Sequence, residues 1–125
     1  MSFLNKIFGN DEAQNSSSLS FWKNIESEED LKKAIEKSFE KKVIIFKHST
    51  RCQISKIVLK NFEKEVANSD KEVEYYFLDL IKYRPISNEI ADQFGITHQS
   101  PQMIVLENGK AVKDASHQSI SVNLI

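Results

Sequence analysis

The sequence contains one thiol, Cys52, and its surroundings predict a nucleophile. A continuous run of β-branched and aromatic residues, 43–47, precedes it, and apolar residues at helical spacing follow it. We therefore expect Cys52 near the first turn of a helix, directly after a buried strand. The positive end of a helix dipole stabilises a thiolate, which is the form that attacks disulfides. Basic side chains cluster here without an acidic residue between positions 43 and 61; they are Lys47, His48, Arg51 and Lys56.

The alternative is that Cys52 is a small apolar core residue, as most free cysteines are. Its polar neighbours Arg51 and Gln53, and the preceding Ser49-Thr50, favour a solvent-facing loop instead. Because the chain has a single cysteine, it cannot form an intramolecular disulfide. Any redox reaction must therefore involve a partner thiol or a small molecule.

Two further residues could contribute to thiol chemistry. Ser55 stands where a C-x-x-C motif has its second cysteine, and its hydroxyl could hydrogen-bond the Cys52 thiolate; the alternative is an ordinary first-turn serine. The Ser100-Pro101 pair opens a predicted strand, where a cis bond would leave the preceding backbone free for an incoming chain. The alternative is a trans proline at a sheet edge.

Hydrophobic spacing predicts the elements that position these residues. A βαβ unit from Val43 to Asp79 would contain two parallel strands, with Cys52 between the first strand and its helix. Asn108-Gly109 is the strongest short signal for a two-residue hairpin turn. The expected order begins with a helix after Ser27, a strand at 43–47, a helix after Cys52 and a strand at 73–79. A helix from about Ser87 to Phe94, closed by Gly95, follows. Strands at 103–107 and 110–113 and short helical turns within 119–125 complete the order. This order predicts an α/β fold with a central mixed four-stranded sheet flanked by helices.

Size and charge narrow the class of protein. The 125 residues, 40% hydrophobic and 28% charged, suit one domain. We predict a flexible extension at 1–20, rich in serine near its end, and a folded domain at 21–125. A net charge of −1 argues against a nucleic-acid partner. We also expect no transmembrane segment, no metal site and, since no secretory signal is visible, a cytoplasmic location.

Four segments resemble the YtxJ-like monothiol bacilliredoxins, a branch of the thioredoxin superfamily, whose fold the chain resembles from about Phe21 onward. They are F-K-H-S-T-R-C-Q-I-S-K (46–56), L-D-L-I-K-Y-R-P-I-S-N-E-I-A (78–91), H-Q-S-P-Q (98–102) and A-S-H (115–117). The resemblance implies a thioredoxin-like fold in which Pro101 is the cis-proline beside the active-site cysteine. In the C-P-I-S motif of that family, Gln53 replaces the proline here.

The resemblance also implies a reaction, the removal of bacillithiol from mixed disulfides on S-thiolated client proteins. Bacillithiol would be the thiol co-substrate, and no cofactor would be bound. The implied catalytic set is Cys52 as nucleophile with Ser55 and Pro101. Residues that could bind substrate or tune the thiolate are Lys47, His48, Arg51, Gln53, Arg84, Ser100 and His117, followed by Asp79, His98 and Gln99.

Several of these assignments have simpler alternatives. Lys47, Arg51 and Arg84 are candidates for the anionic part of bacillithiol, although each is by default a solvated surface charge. His48 and His117 are equally consistent with structural, hydrogen-bonded histidines. The whole protein could also be a thiol-transferase for another small thiol, or a non-catalytic redox sensor or adaptor.

Overall fold

Five strands, three α-helices and two short 3-10 helices lie within residues 21–125, which are the residues that the computed structural model describes. The predicted extension, 1–20, lies outside the described residues. In chain order the elements are β1 Trp22–Asn24, α1 Glu28–Lys37, β2 Lys42–His48, α2 Gln53–Ala67, β3 Val73–Asp79, α3 Arg84–Phe94, β4 Gln102–Glu107 and β5 Lys110–Ser116, followed by two 3-10 helices, His117–Ser119 and Val122–Leu124.

The strands form one mixed sheet in the order β1-β3-β2-β4-β5. β1 and β2 run parallel to β3, whereas β4 is antiparallel to both β2 and β5. The α/β class is confirmed, but the prediction of four strands was wrong. The fifth strand, β1, has three residues and pairs with β3 from Trp22↔Tyr75 to Asn24↔Phe77. So short a strand shows no alternation in sequence, and its partner lies about fifty positions away.

The helices cover the sheet from both sides. Val43 and Ile45 of β2 pack into a core with α1 and α3, whereas Ile44 and Phe46 pack into a second core with α2. Both sets are fully buried because side chains of a strand alternate between the two faces. The next two positions, Lys47 and His48, therefore point to opposite sides of the sheet.

Local sequence signals fix the ends of several elements. The Ser27 hydroxyl accepts a hydrogen bond from the Asp30 N–H at 3.1 Å, which caps α1. Gly95 closes α3 with φ of 65°. In the hairpin turn, Asn108 and Gly109 have φ of 54° and 79°, as the predicted two-residue turn requires.

Candidate active site

Cys52 occupies the N-cap position of α2. Its backbone is extended (φ −106°, ψ 120°), and its side chain makes no capping hydrogen bond. The Cys52 N–H donates to the Ser49 carbonyl at 3.2 Å, and its own carbonyl accepts from the Lys56 N–H at 3.2 Å. The side chain is partly exposed and belongs to neither core. A thiolate at this position would face the positive end of the α2 dipole and remain accessible to a disulfide.

Ser55 lies one helical turn later and is fully buried. The predicted partner of its hydroxyl was Cys52, but the structure gives it other partners. Ser55 Oγ accepts from the Ser49 N–H at 3.1 Å and lies 2.8 Å from His48 Nδ1, where the donor depends on the histidine tautomer. The serine therefore ties the end of β2 to the first turn of α2 and holds the loop that carries the thiol.

Replacing Ser55 with alanine is expected to lower the free energy of unfolding by about 2 kcal/mol, because two buried polar groups lose a partner. Urea denaturation at pH 7 measures this difference. Ser119→Ala, at an exposed serine, is the matched control and should change stability by less than about 0.5 kcal/mol. Equal stabilities of the two variants would contradict the role assigned to Ser55.

His48 lies on the same face of the sheet as α2 and is buried. Burial lowers the pKa of His48; Asp79 opposes this effect and Lys56 adds to it. Burial therefore favours the neutral form of the ring, whose centroid lies 5.5 Å from that of Phe77. Asp79 is the register partner of His48. Its Oδ1 accepts from two backbone N–H groups at 3.1 Å and so orders the turn after β3.

The loop before β4 reaches the same end of the sheet as the thiol. The Ser100–Pro101 peptide bond is cis, as the resemblance implied. Gln102, the next residue, pairs with Lys47 across β2 and β4, so Pro101 stands beside the end of β2. The His117 N–H donates to the Pro101 carbonyl at 3.0 Å. At this end of the sheet, the segment that carries Cys52 therefore meets those that carry Pro101 and His117. The His117 side chain is exposed.

The position of Lys47 differs from the prediction. Its ammonium is not a surface charge, and it lies on the face of the sheet opposite α2, the helix that begins at the thiol. It is fully buried on the α3 face, where its Nζ donates to the Ser87 carbonyl at 3.0 Å and lies 3.5 Å from His98 Nδ1. Burial and then the charge of Arg84 lower the pKa of Lys47 to about 8. Burial, followed by Lys47 and Arg84, also lowers the pKa of His98.

The other predicted residues divide between two places. Arg84 begins α3, where its Nε donates to Asn88 Oδ1 at 3.4 Å, and so belongs with Lys47 and His98 on the face opposite α2. Arg51 and Gln53 are exposed on either side of Cys52. Gln99 is exposed and Ser100 partly buried in the loop before Pro101. The structure thus brings Cys52, His48, Ser55 and Gln53 together and separates Lys47 and Arg84 from them.

A groove of about 750 Å³ runs from this site along α2 toward β1, and we call it the α2 groove. The sequence did not indicate it, because its walls come from distant segments; only the i, i+4 spacing of Lys56 and Lys60 signals a shared helix face. Its lining residues are Trp22, Asn24, His48, Gln53, Lys56, Ile57, Leu59, Lys60, Glu63 and Phe77.

The described part of the chain lacks two features that other functions would need. Between residues 21 and 125, no helix is long and apolar enough to span a bilayer. The same range holds no group of three or more His, Cys, Asp or Glu side chains arranged to bind a metal ion.

Comparisons with known proteins agree with this geometry. The chain resembles a solved structure described as a candidate oxidoreductase with a thioredoxin fold, at 28% identity and a TM-score of 0.75, covering 87% of this chain and 94% of the other. Thioredoxin from Fasciola hepatica (20% identity, TM-score 0.63, 82% and 91% covered) and mitochondrial thioredoxin 3 from Saccharomyces cerevisiae (15%, 0.63, 78% and 85%) share the fold. The model of the family described as monothiol bacilliredoxin BrxC matches residues 23–125. With that match across nearly the whole described range, the chain belongs to the monothiol bacilliredoxin family.

Proposed function

We propose that this protein is a monothiol thiol–disulfide oxidoreductase that removes bacillithiol from mixed disulfides on client proteins. The observation that carries the proposal is the partly exposed Cys52 at the N-terminus of α2, at the sheet edge that also holds the cis-proline loop. Membership of the bacilliredoxin family supports a thiol redox function, and on that basis we propose bacillithiol as the small thiol. We place the reaction in the cytoplasm, where small thiols and reductases keep a lone cysteine reduced.

The reaction is one thiol–disulfide exchange. The Cys52 thiolate attacks the bacillithiol sulfur of the mixed disulfide, a new S–S bond forms between them, and the bond to the client breaks. The client sulfur leaves as a thiolate and takes a proton from water. One disulfide replaces another, so no oxidant is consumed.

Resetting the protein requires a second thiol, because Ser55 cannot act as a resolving sulfur. A second bacillithiol molecule or a separate reductase attacks the Cys52–bacillithiol bond, which returns the Cys52 thiolate and carries the disulfide away. Gln53, in place of the family's proline, adds a backbone N–H at the first residue of α2. That N–H belongs to the residue that follows Cys52, at the N-terminus of α2, and would help to hold the attacking thiolate.

The direct test is to mix the protein with a bacillithiolated client and follow both partners by intact-mass spectrometry. We expect the client to lose the adduct as Cys52 gains one bacillithiol, faster than the spontaneous exchange with an equal concentration of free cysteine. Loss of the adduct at the spontaneous rate would contradict the proposal. The same client modified with another carboxylated thiol, such as glutathione, identifies a general thiol-transferase if both adducts are removed equally fast.

A further inference from the structure

We propose that the α2 groove is the binding site for the anionic part of the small thiol, with Lys56 and Lys60 as the groups that bind its carboxylates. This inference rests on the proposed function for the identity of the ligand as a carboxylate-bearing thiol. It assigns the anion to a different place from Lys47 and Arg84, which the sequence had suggested.

The position of the groove suits a ligand whose sulfur reacts with Cys52. Its near end is formed by Gln53, the residue that follows Cys52, and by His48, which is bonded to Ser55. Its far end lies about ten residues further along α2, at Glu63. A sulfur placed at Cys52 therefore leaves the rest of a small thiol at the entrance of the groove.

Two ammonium groups on one face of α2 supply the charge. Lys56 and Lys60 are exposed lining residues four positions apart, so they project from successive turns on the same side of the helix. Lys56 is close enough to His48 to lower its pKa, which places one ammonium near the thiol end of the groove. Two carboxylates on one ligand can contact both ammonium groups at once. Hydrogen bonds between charged groups are stronger than those between neutral groups.

The floor of the groove is aromatic. Trp22 and Phe77 have ring centroids 5.6 Å apart in an edge-on arrangement, and both are partly exposed. Such rings offer an apolar surface against which the body of a small ligand can pack.

The carboxylate of Glu63 cancels only part of this charge. Its Oε2 accepts from the Trp22 indole N–H at 2.8 Å. Burial raises the pKa of Glu63, an effect that the indole hydrogen bond and Lys60 oppose. The carboxylate is thus directed to the floor rather than to the rim, and the lining keeps a surplus of one positive charge from Lys56, Lys60 and Glu63.

The other basic residues near the thiol in sequence are less suitable. The Lys47 ammonium is fully buried against the Ser87 carbonyl on the opposite face of the sheet. Arg84 belongs to α3 on that same face. Arg51 is exposed but does not line the groove.

The kinetic test compares Lys56→Gln/Lys60→Gln with Lys64→Gln, an exposed lysine of α2 outside the groove. Each protein acts on one client carrying either bacillithiol or 2-mercaptoethanol, which has no carboxylate. We expect the double variant to raise KM for the bacillithiol adduct about fivefold relative to KM for the 2-mercaptoethanol adduct, as two exposed ion pairs predict. A change in thiolate reactivity from the loss of the Lys56 charge affects both adducts alike and cancels in this ratio. The Lys64 control should leave this ratio unchanged. Equal effects on both adducts, or no effect, would overturn the proposal.

A binding test separates this inference from the proposed function. Trp22 is the chain's single tryptophan and lines the groove, so its fluorescence reports occupancy without turnover. Titration of Cys52→Ser protein with bacillithiol should give a saturable change, and the two lysine substitutions should weaken binding about fivefold. If binding follows this pattern but the wild-type protein is inactive, the proposed reaction is rejected and the α2 groove remains the binding site for the small thiol. If the wild-type protein is active but Trp22 fluorescence does not respond, the α2 groove is rejected as the binding site and the proposed reaction stands.

Discussion

The Cys52→Ser variant is expected to lose at least about a thousandfold in the rate of bacillithiol removal from a client. The thiolate is the attacking group in disulfide exchange, and a serine hydroxyl stays protonated at neutral pH and forms no S–S bond. The rate should fall to that of the uncatalysed exchange with free bacillithiol. A stopped assay that follows the client adduct by mass spectrometry measures the difference.

The structure indicates that this variant keeps its fold. Cys52 is only partly buried, its hydrogen bonds to Ser49 and Lys56 are made by its backbone, and serine is a favoured N-cap residue. Thermal unfolding should therefore show a midpoint equal to or slightly above that of the wild type. If Cys52→Ser and wild type act on the client equally, Cys52 is not a catalytic nucleophile and the adaptor or sensor function would be favoured.

The features that the sequence could predict depend on residues close together in the chain. The position of Cys52 follows from one strand run and the helical spacing after it, and the Asn108-Gly109 turn needs only two residues. The cis-proline was predicted from a proline that opens a strand and from the resemblance of residues 98–102 to a family motif. For Cys52 and the turn, the predictive signal lies within one element or at its boundary.

The features that it could not predict depend on where distant segments meet. Lys47 and His48 look alike in sequence as basic neighbours of the thiol, yet strand alternation places one against α3 and the other against α2. The hydroxyl of Ser55 bonds back to β2, which spacing within the helix does not reveal. The α2 groove needs Trp22 from β1 and Phe77 from β3, two strands that pair across some fifty residues.

Replacing Lys47 with methionine is expected to raise the free energy of unfolding by about 2 kcal/mol at pH 7. The wild-type ammonium is fully buried, its nearest partners are the Ser87 carbonyl and the His98 ring, and Arg84 repels it. No carboxylate pairs with it within residues 21–125. A buried charge without a counter-charge is unfavourable, and methionine has a similar length and fills irregular core space.

The pH dependence tests this explanation more sharply than the stability change alone. Folding lowers the pKa of Lys47 from 10.5 to about 8, so between these pH values the unfolded chain binds more protons than the folded one. The wild type therefore gains stability from this residue as pH rises through that window, and the variant does not. The advantage of Lys47→Met should be largest below pH 8 and should shrink towards pH 10, in urea denaturation series at matched ionic strength. Lys64→Met, at an exposed lysine of α2, should differ little in stability from wild type at any pH. If the gain in the free energy of unfolding from Lys47→Met stays constant with pH, packing and not charge accounts for that gain.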